Sequence, residues 1–277
     1  MGSELGVIPI PQRPARRHGV DEEAETLRTD STFRWPTGRR IRYPMPSRLF
    51  AIGDIHGCST ALKVLIEAIA PWPEDTIVVL GDVTDWGPDS RDCVQQLIDL
   101  SNRCRFVLVR GNHEEMLFAA LESQSELRYW LNFGGEETLK SYPYRGGDEF
   151  IDPEHVRFLK EARDFYETDE FIFVHASCDP NKPMSQQSNT TLQWQFVEPE
   201  KMRPHYSGKT VVCGHSPQTG GEPLDLGFLK VIDTDCSRGG WLTALEVGSG
   251  RIVQANQLGE TRVKGERGTM MEGCRPA

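Results

Sequence analysis

Short apolar runs alternate with stretches of helical periodicity from residue 49 onward. Leu49–Ile52 reads as a buried strand, and residues 60–70 place Leu62, Leu65, Ile66 and Ile69 on one helical face. Residues 76–80 form a continuous, mainly β-branched run. Asp89 or Ser90 can cap a helix carrying Val94, Leu97 and Ile98, and residues 105–109 form a third strand. This rhythm predicts βαβ units with a parallel sheet. Further strands are expected at Phe171–Val174 and at residues 209–213, 229–232, 242–247 and 251–254. Their close spacing, with little helix between them, predicts a mainly antiparallel second half. The fold class is α/β, a sandwich of sheets flanked by helices.

The ends of the chain break this pattern. Six prolines between Pro9 and Pro46, with Arg13, Arg16, Arg17, Arg39, Arg40 and Arg42, predict a flexible arm over residues 1–46. Residues 259–277 read as a flexible polar tail, leaving one catalytic-size domain at 47–258. The net charge of −10 argues against a protein whose main task is holding nucleic acid. The first residues lack the pattern of a secretory signal, and no apolar run reaches membrane-spanning length. The seven cysteines are odd in number and never spaced as Cys-x-x-Cys, which fits reduced thiols in a cytoplasm.

Chemistry-bearing residues follow the strands. Gly53-Asp54-Ile55-His56-Gly57, Gly81-Asp82 and Gly111-Asn112-His113-Glu114 put Asp54, Asp82 and Asn112 at intervals of 28 and 30 residues, one βαβ unit apart. Such positions lie beyond the carboxyl ends of parallel strands, where α/β sheets gather ligands. Asp54 and His56, on an extended segment, would point the same way and grip one ion. Asp82 would bridge to a second ion completed by Asn112, His175 and His215. Mixed oxygen and imidazole donors suit manganese, iron, zinc or nickel better than calcium. Two such cations would acidify a bridging water for in-line attack on phosphorus. His113 is the candidate acid for the leaving oxygen, oriented by Asp85. Duller readings stand beside these. A lone Gly-Asp is often a turn with a capping carboxylate, His215 could be a satisfied buried histidine, and Asp85 could cap the next helix. Glu114 reads as an acid complementing a helix dipole, outside the site. His18, His155 and His205 read as surface residues.

With Gly81-Asp82-Val83-Thr84-Asp85-Trp86-Gly87-Pro88, Val174-His175-Ala176, Gly214-His215-Ser216-Pro217, Ile232-Asp233-Thr234 and the run from Gly239 to Leu245, the ordered motifs resemble the phosphoprotein phosphatase branch of the calcineurin-like metallophosphoesterases. The stretch from Trp130 to Gly135, with Thr138 to Tyr142, is similar to one in bacterial members. The resemblance runs from about Leu49 to Ile252. It implies a four-layer αββα sandwich and two divalent metal ions, manganese foremost. It assigns metal-ligand roles to Asp54, His56, Asp82, Asn112, His175 and His215, and the acid pair to His113 and Asp85. The implied reaction is hydrolysis of phosphomonoesters, with phosphorylated proteins or small phosphoesters as partners. A symmetrical dinucleoside-tetraphosphate hydrolase and a weakly catalytic metal-binding pseudophosphatase are the alternatives. Two departures stand out. Trp86 and Phe196 occupy positions where the family usually carries phosphate-clamping arginines. Arg110, Arg238, Arg145 or Lys182 could substitute, and Trp86 could instead wall the site or stack a flat substrate such as phosphotyrosine or a nucleobase. The long segment 176–207 is expected to form a wall of the substrate groove, anchored by Trp194.

Overall fold

The computed structural model describes residues 47–143 and 150–265. The arm expected over residues 1–46 lies outside them, as do Arg145 and His18. The first half runs β1 (Leu49–Ile52), α1 (Ser59–Ile69), β2 (Thr76–Val79), α2 (Ser90–Ser101) and β3 (Arg105–Leu108). The cap expected for α2 is Asp89, whose side chain accepts from Asp92 N at 2.9 Å. Four helices follow that periodicity alone did not delimit: α3 (Asn112–Glu122), α4 (Gln124–Trp130), α5 (Glu136–Ser141) and α6 (Pro153–Lys160). Between α4 and α5 the chain kinks through Leu131–Gly135, with Gly134 at φ +89°. The remaining elements are β4 (Phe165–Glu167), β5 (Phe171–Val174), α7 (Asn189–Trp194), β6 (Thr210–Cys213), β7 (Leu224–Asp225), β8 (Leu229–Val231), β9 (Leu242–Glu246), β10 (Arg251–Ala255) and β11 (Thr261–Lys264).

Two mixed sheets result, in the orders β11-β10-β9-β1-β2-β3 and β4-β5-β6-β8-β7. The second half is less antiparallel than its spacing predicted. β5, β6 and β8 are mutually parallel at the centre of their sheet, because the long segment after β5 and the loop after β6 serve as crossovers. Likewise, the tail expected from residue 259 begins with a strand, β11, paired to β10 from Thr261 to Lys264. Alternating Arg262 and Val263 gave too little apolar signal for so short an edge strand.

Period-two alternation builds the layers. In β1 and β2, Phe50, Ile52, Ile77 and Val79 face the helices, while Ala51, Val78 and Leu80 join Phe173, Val212 and Ile232 between the sheets. In β5 and β6, Ile172, Val174, Val211 and Cys213 face outward onto Cys178, Met184 and Leu192 of the long 176–207 segment. That segment supplies the outermost layer, with α7 as its helix. The parallel strands β1, β2 and β3 of one sheet and β5 and β6 of the other bring their carboxyl ends to the same edge of the sandwich.

Candidate metal centre and acid pair

The loop after β1 carries Asp54 and His56, the loop after β2 carries Asp82 and Asp85, and Asn112 and His113 open α3. His175 follows β5 and His215 follows β6. His56, Asp82, Asp85, Trp86 and His215 all have positive φ, between +45° and +75°, in the left-handed region. Non-glycine residues enter that region only at a cost, and such strain concentrates at functional sites. The expected extended Asp54–His56 segment is therefore corrected. His56 turns left-handed because the amides of both Ile55 and His56 donate to the Asp82 carbonyl, at 3.0 and 2.8 Å.

Asp82 Oδ2 lies at the centre. It is 3.5 Å from His56 Nε2, 3.4 Å from His175 Nε2 and 4.0 Å from His113 Nε2. Hydrogen bonds fix the tautomers. His56 Nδ1 donates to the Thr84 carbonyl at 2.9 Å and His175 Nδ1 to that of Leu80 at 2.8 Å. His215 Nε2 donates to Trp194 O at 3.2 Å. Each imidazole therefore turns a bare nitrogen inward, the arrangement second-shell carbonyls impose on metal-ligating histidines. Burial lowers His56 to about 3 and His215 to about 4, and pulls His175 well below its ordinary value, so all three are neutral at pH 7.

His175 Nε2 consequently meets Asn112 Oδ1 at 3.0 Å, His215 Nδ1 at 3.2 Å and Asp82 Oδ2 with no proton of its own to offer any of them. Asp54 Oδ2 accepts from His215 N at 2.9 Å, yet among the described residues its buried Oδ1 has no partner. Lone pairs packed this way repel unless a cation sits among them. Two sets have donor atoms within 4.8 Å of one another: His56, Asp82 and His113, and Asp82, His175 and His215. The six residues expected as ligands are brought to one place, and the chemistry of these donors would suit divalent cations, with Asp82 common to both sets. Glycine keeps that place open. A Cβ on Gly214 would lie 1.9 Å from Asp54 Oδ1.

The acid pair is also assembled. His113 Nδ1 lies 2.7 Å from Asp85 Oδ2. Asp85 further accepts from Trp130 Nε1 at 2.8 Å and from Thr138 Oγ1 at 2.7 Å, so the kinked α4–α5 connection holds the carboxylate that holds the imidazole. Trp130 and Thr138 were visible only as a family-like stretch. Glu114, expected to serve a helix dipole, has a larger part. It is fully buried and accepts from the amides of Asp82, Val83 and Gly111 at 2.8–2.9 Å, bracing the loop that carries Asp82. Asp233, beyond β8, is another buried acid beside Asp54, which the sequence offered only within a family-like stretch and without a place in the site.

The substrate-side residues divide. The Arg110 guanidinium is engaged by the Ala162 carbonyl at 3.1 Å and by Asp164 at 3.5 Å rather than by a residue of the site. Lys182 pairs with Asp179 at 3.0 Å. Arg238 is exposed and lies 5.7 Å over the Trp86 ring. Trp194 anchors its segment, donating from Nε1 to Glu115 at 2.8 Å while its carbonyl receives His215. His155 and His205, expected at the surface, are buried. Their rings satisfy Tyr142 and the Lys182 carbonyl inside the packing, and periodicity carries no trace of such polar pairings.

The acids strain one another. Burial, followed by mutual repulsion, holds Asp54 and Asp82 well above the ordinary carboxylate range. Burial also raises Asp233 to about 6 and Asp85 to about 7. A carboxyl whose folded pKa exceeds its unfolded value of about 4 contributes stability below that value and loses it as pH rises through the folded one. Metal-free protein should thus lose this contribution between about pH 4 and 7, and divalent cations should restore it by displacing protons. The expected result is a manganese-induced rise in Tm that is larger at pH 8 than at pH 5, about 5–10 °C at a hundredfold excess over Kd. Equal shifts at both pH values in thermal melts would separate the acids from cation binding.

A two-sheet α/β scaffold that gathers neutral imidazoles and buried acids at one sheet edge, with an imidazole–carboxylate pair beside them, belongs to the metal-dependent hydrolases. The sequence matches the calcineurin-like phosphoesterases over residues 47–236, and the chain belongs to that family. It is 30% identical over 218 residues to serine/threonine-protein phosphatase 1 of Salmonella typhimurium, covering 76% of this chain and 96% of that one. It is 27% identical over 138 residues to the symmetrical bis(5'-nucleosyl)-tetraphosphatase of Nitrosomonas europaea, covering 50% of this chain and 47% of that one. Among solved structures, the cold-active protein-tyrosine phosphatase of a psychrophilic Shewanella superposes with a TM-score of 0.53 at 14% identity, covering 78% of this chain and 80% of that one. That likeness concerns the fold. No helix among the described residues is long and apolar enough to cross a membrane.

Proposed function

We propose that this chain is a phosphomonoesterase acting on phosphorylated proteins. The observation that carries the reading is the 2.7 Å contact of His113 with Asp85 at the rim of the acceptor cluster, where a leaving oxygen would need its proton. Asp54, His56, Asp82, Asn112, His175 and His215 would hold two divalent ions, manganese foremost. When bound, these supply positive charge to phosphoryl oxygens and acidify water. Asp85 fixes the imidazole so that Nε2 faces the substrate, and Trp130 and Thr138 keep Asp85 from rotating away. Burial lowers His113 to about 3 and raises Asp85 to about 7, so the imidazole is neutral and the pair's extra proton rests on the carboxyl. His113 then gives its Nε2 proton to the departing oxygen, which leaves as an alcohol, while Nδ1 takes up the Asp85 proton across the 2.7 Å contact. Arg238, exposed and lying 5.7 Å over the Trp86 ring, offers a cation at this face. The free cysteines among the described residues fit a cytoplasmic setting.

Phosphoprotein substrates are favoured over dinucleotides because the match to the Salmonella protein phosphatase runs along 96% of that protein, whereas the tetraphosphatase match covers 47% of its counterpart. The test is a parallel assay of manganese-loaded protein on phosphopeptides and diadenosine tetraphosphate. A kcat/KM at least about tenfold higher on peptides is expected, a margin within reach of pocket contacts alone. The reverse order would move the reading to a symmetrical dinucleoside-tetraphosphate hydrolase.

A further inference from the structure

Trp86 combines features that packing does not explain. It is a bulky residue held left-handed at φ +64° and yet 39% exposed, so burial offsets only part of the strain. Its amide donates to the Gly134 carbonyl at 3.3 Å, which pins the strained turn against the kink between α4 and α5. Arg238 lies over the indole, and its own turn begins with Asp235, also left-handed at φ +62°. Two strained turns thus meet at one partly exposed indole, with Gly134 packed close against the ring and the exposed Arg238 side chain 5.7 Å over it.

The position of that face is specific. Through the site runs a row of rings: Trp86 lies 6.2 Å from His113, His113 lies 4.7 Å from His56, and beyond Asp82 His175 lies 4.9 Å from His215. Phe196, 61% exposed, stacks on His215 at 4.6 Å. The row therefore ends in one exposed aromatic beside the acid and another at the opposite end. Only the end with His113 receives the leaving group.

We propose that the site selects aryl phosphomonoesters, with phosphotyrosyl residues of proteins as the substrate class, and that Trp86 is the surface on which the departing ring lies. This rests on the phosphomonoesterase reading above. A leaving oxygen that takes its proton from His113 sits about 3 Å from Nε2. In an aryl phosphate the ring is bonded directly to that oxygen, which brings it within reach of Trp86, whose own ring lies 6.2 Å from that of His113. A seryl or threonyl ester presents only an aliphatic carbon and peptide backbone there. In a dinucleoside polyphosphate, phosphoryl groups and a ribose separate the base from the scissile oxygen, which carries the base past this surface.

Matched phosphopeptides differing only in Tyr or Ser at the phosphorylated position test the idea. Because an aryl oxide leaves more readily than an alkoxide on any enzyme, the quantity to read is the change in the Tyr/Ser ratio of kcat/KM between variants. Trp86→Leu should lower that ratio about five- to tenfold, the scale of one aromatic contact. Trp86→Phe should restore most of it, and Phe196→Ala should leave it within about twofold. A second readout needs no turnover: quenching of tryptophan fluorescence by phenylphosphonate but not by ethylphosphonate, reduced in Trp86→Phe. Thermal melts show whether each variant is folded. If Trp86→Leu is folded and keeps the wild-type ratio, Trp86 is not the stacking surface and the inference falls alone. If no phosphopeptide is hydrolysed while diadenosine tetraphosphate is, the parent reading fails and takes this inference with it.

Discussion

Asp82→Asn is expected to lower kcat/KM on any phosphomonoester by about 10³-fold or more, the scale of losing a shared metal carboxylate. The substitution is nearly isosteric, and an oxygen at Oδ1 can still accept from His113 N, a contact of 3.1 Å. What disappears is the charge at Oδ2, on which three imidazole nitrogens converge at 3.4–4.0 Å. An amide nitrogen there would turn hydrogens toward cations. Metal analysis should find less bound ion than in wild type. Metal-free Asp82→Asn should melt higher than metal-free wild type, because one member of a mutually repelling set of buried acids has been neutralised. Activity and stability thus move in opposite directions. Activity within tenfold of wild type would mean that Asp82 is not shared between two ions.

His113→Gln should lower kcat/KM on a phosphoseryl peptide by about 10²–10⁴-fold, the range for loss of a positioned acid. On p-nitrophenyl phosphate the loss should be much smaller, since p-nitrophenolate departs without a proton. The contrast between substrates matters because the geometry leaves His113 two possible tasks. Its Nδ1 is tied to Asp85, but its Nε2 belongs to a trio with His56 and Asp82 whose spacing could hold an ion. A ligand role would depress both substrates equally and reduce bound metal. An acid role separates the substrates and leaves the metal in place.

That the expected ligand residues would gather in one place was legible because each follows a short apolar run, most of them with a glycine between, and because strand-end placement is nearly independent of what packs around it. Asp54, Asp82 and Asn112 could be ordered by their βαβ spacing, and β1, β2 and β3 fall where periodicity put them. Conformation within the loops was not legible. The left-handed turn at His56 depends on the Asp82 carbonyl, a contact 26 residues away in sequence terms. Supporting residues were hidden for the same reason. Glu114 looks like any helix-start acid until the amides of Asp82 and Val83 are seen on it. Trp130 and Thr138 gain their meaning only when the kink at Gly134 folds them onto Asp85. The parallel pairing of β5, β6 and β8 could not be read from strand spacing, because a crossover made mostly of loop carries little helical periodicity.

Asp54, His56, Asp82 and Asn112 hang from one sheet, whereas His175 and His215 hang from the other. The cluster is therefore a gauge of how the two sheets are aligned. Coordination distances tolerate errors of about 0.2 Å, while one residue of strand slip is about 3.3 Å. A small shear between the layers would open the ligand set long before either sheet lost its own hydrogen bonds. Substitutions at Phe173 or Val212, remote from any substrate but wedged between the sheets, would then register first as weakened cation retention. The pair of ions, in turn, would act as a rivet through both layers.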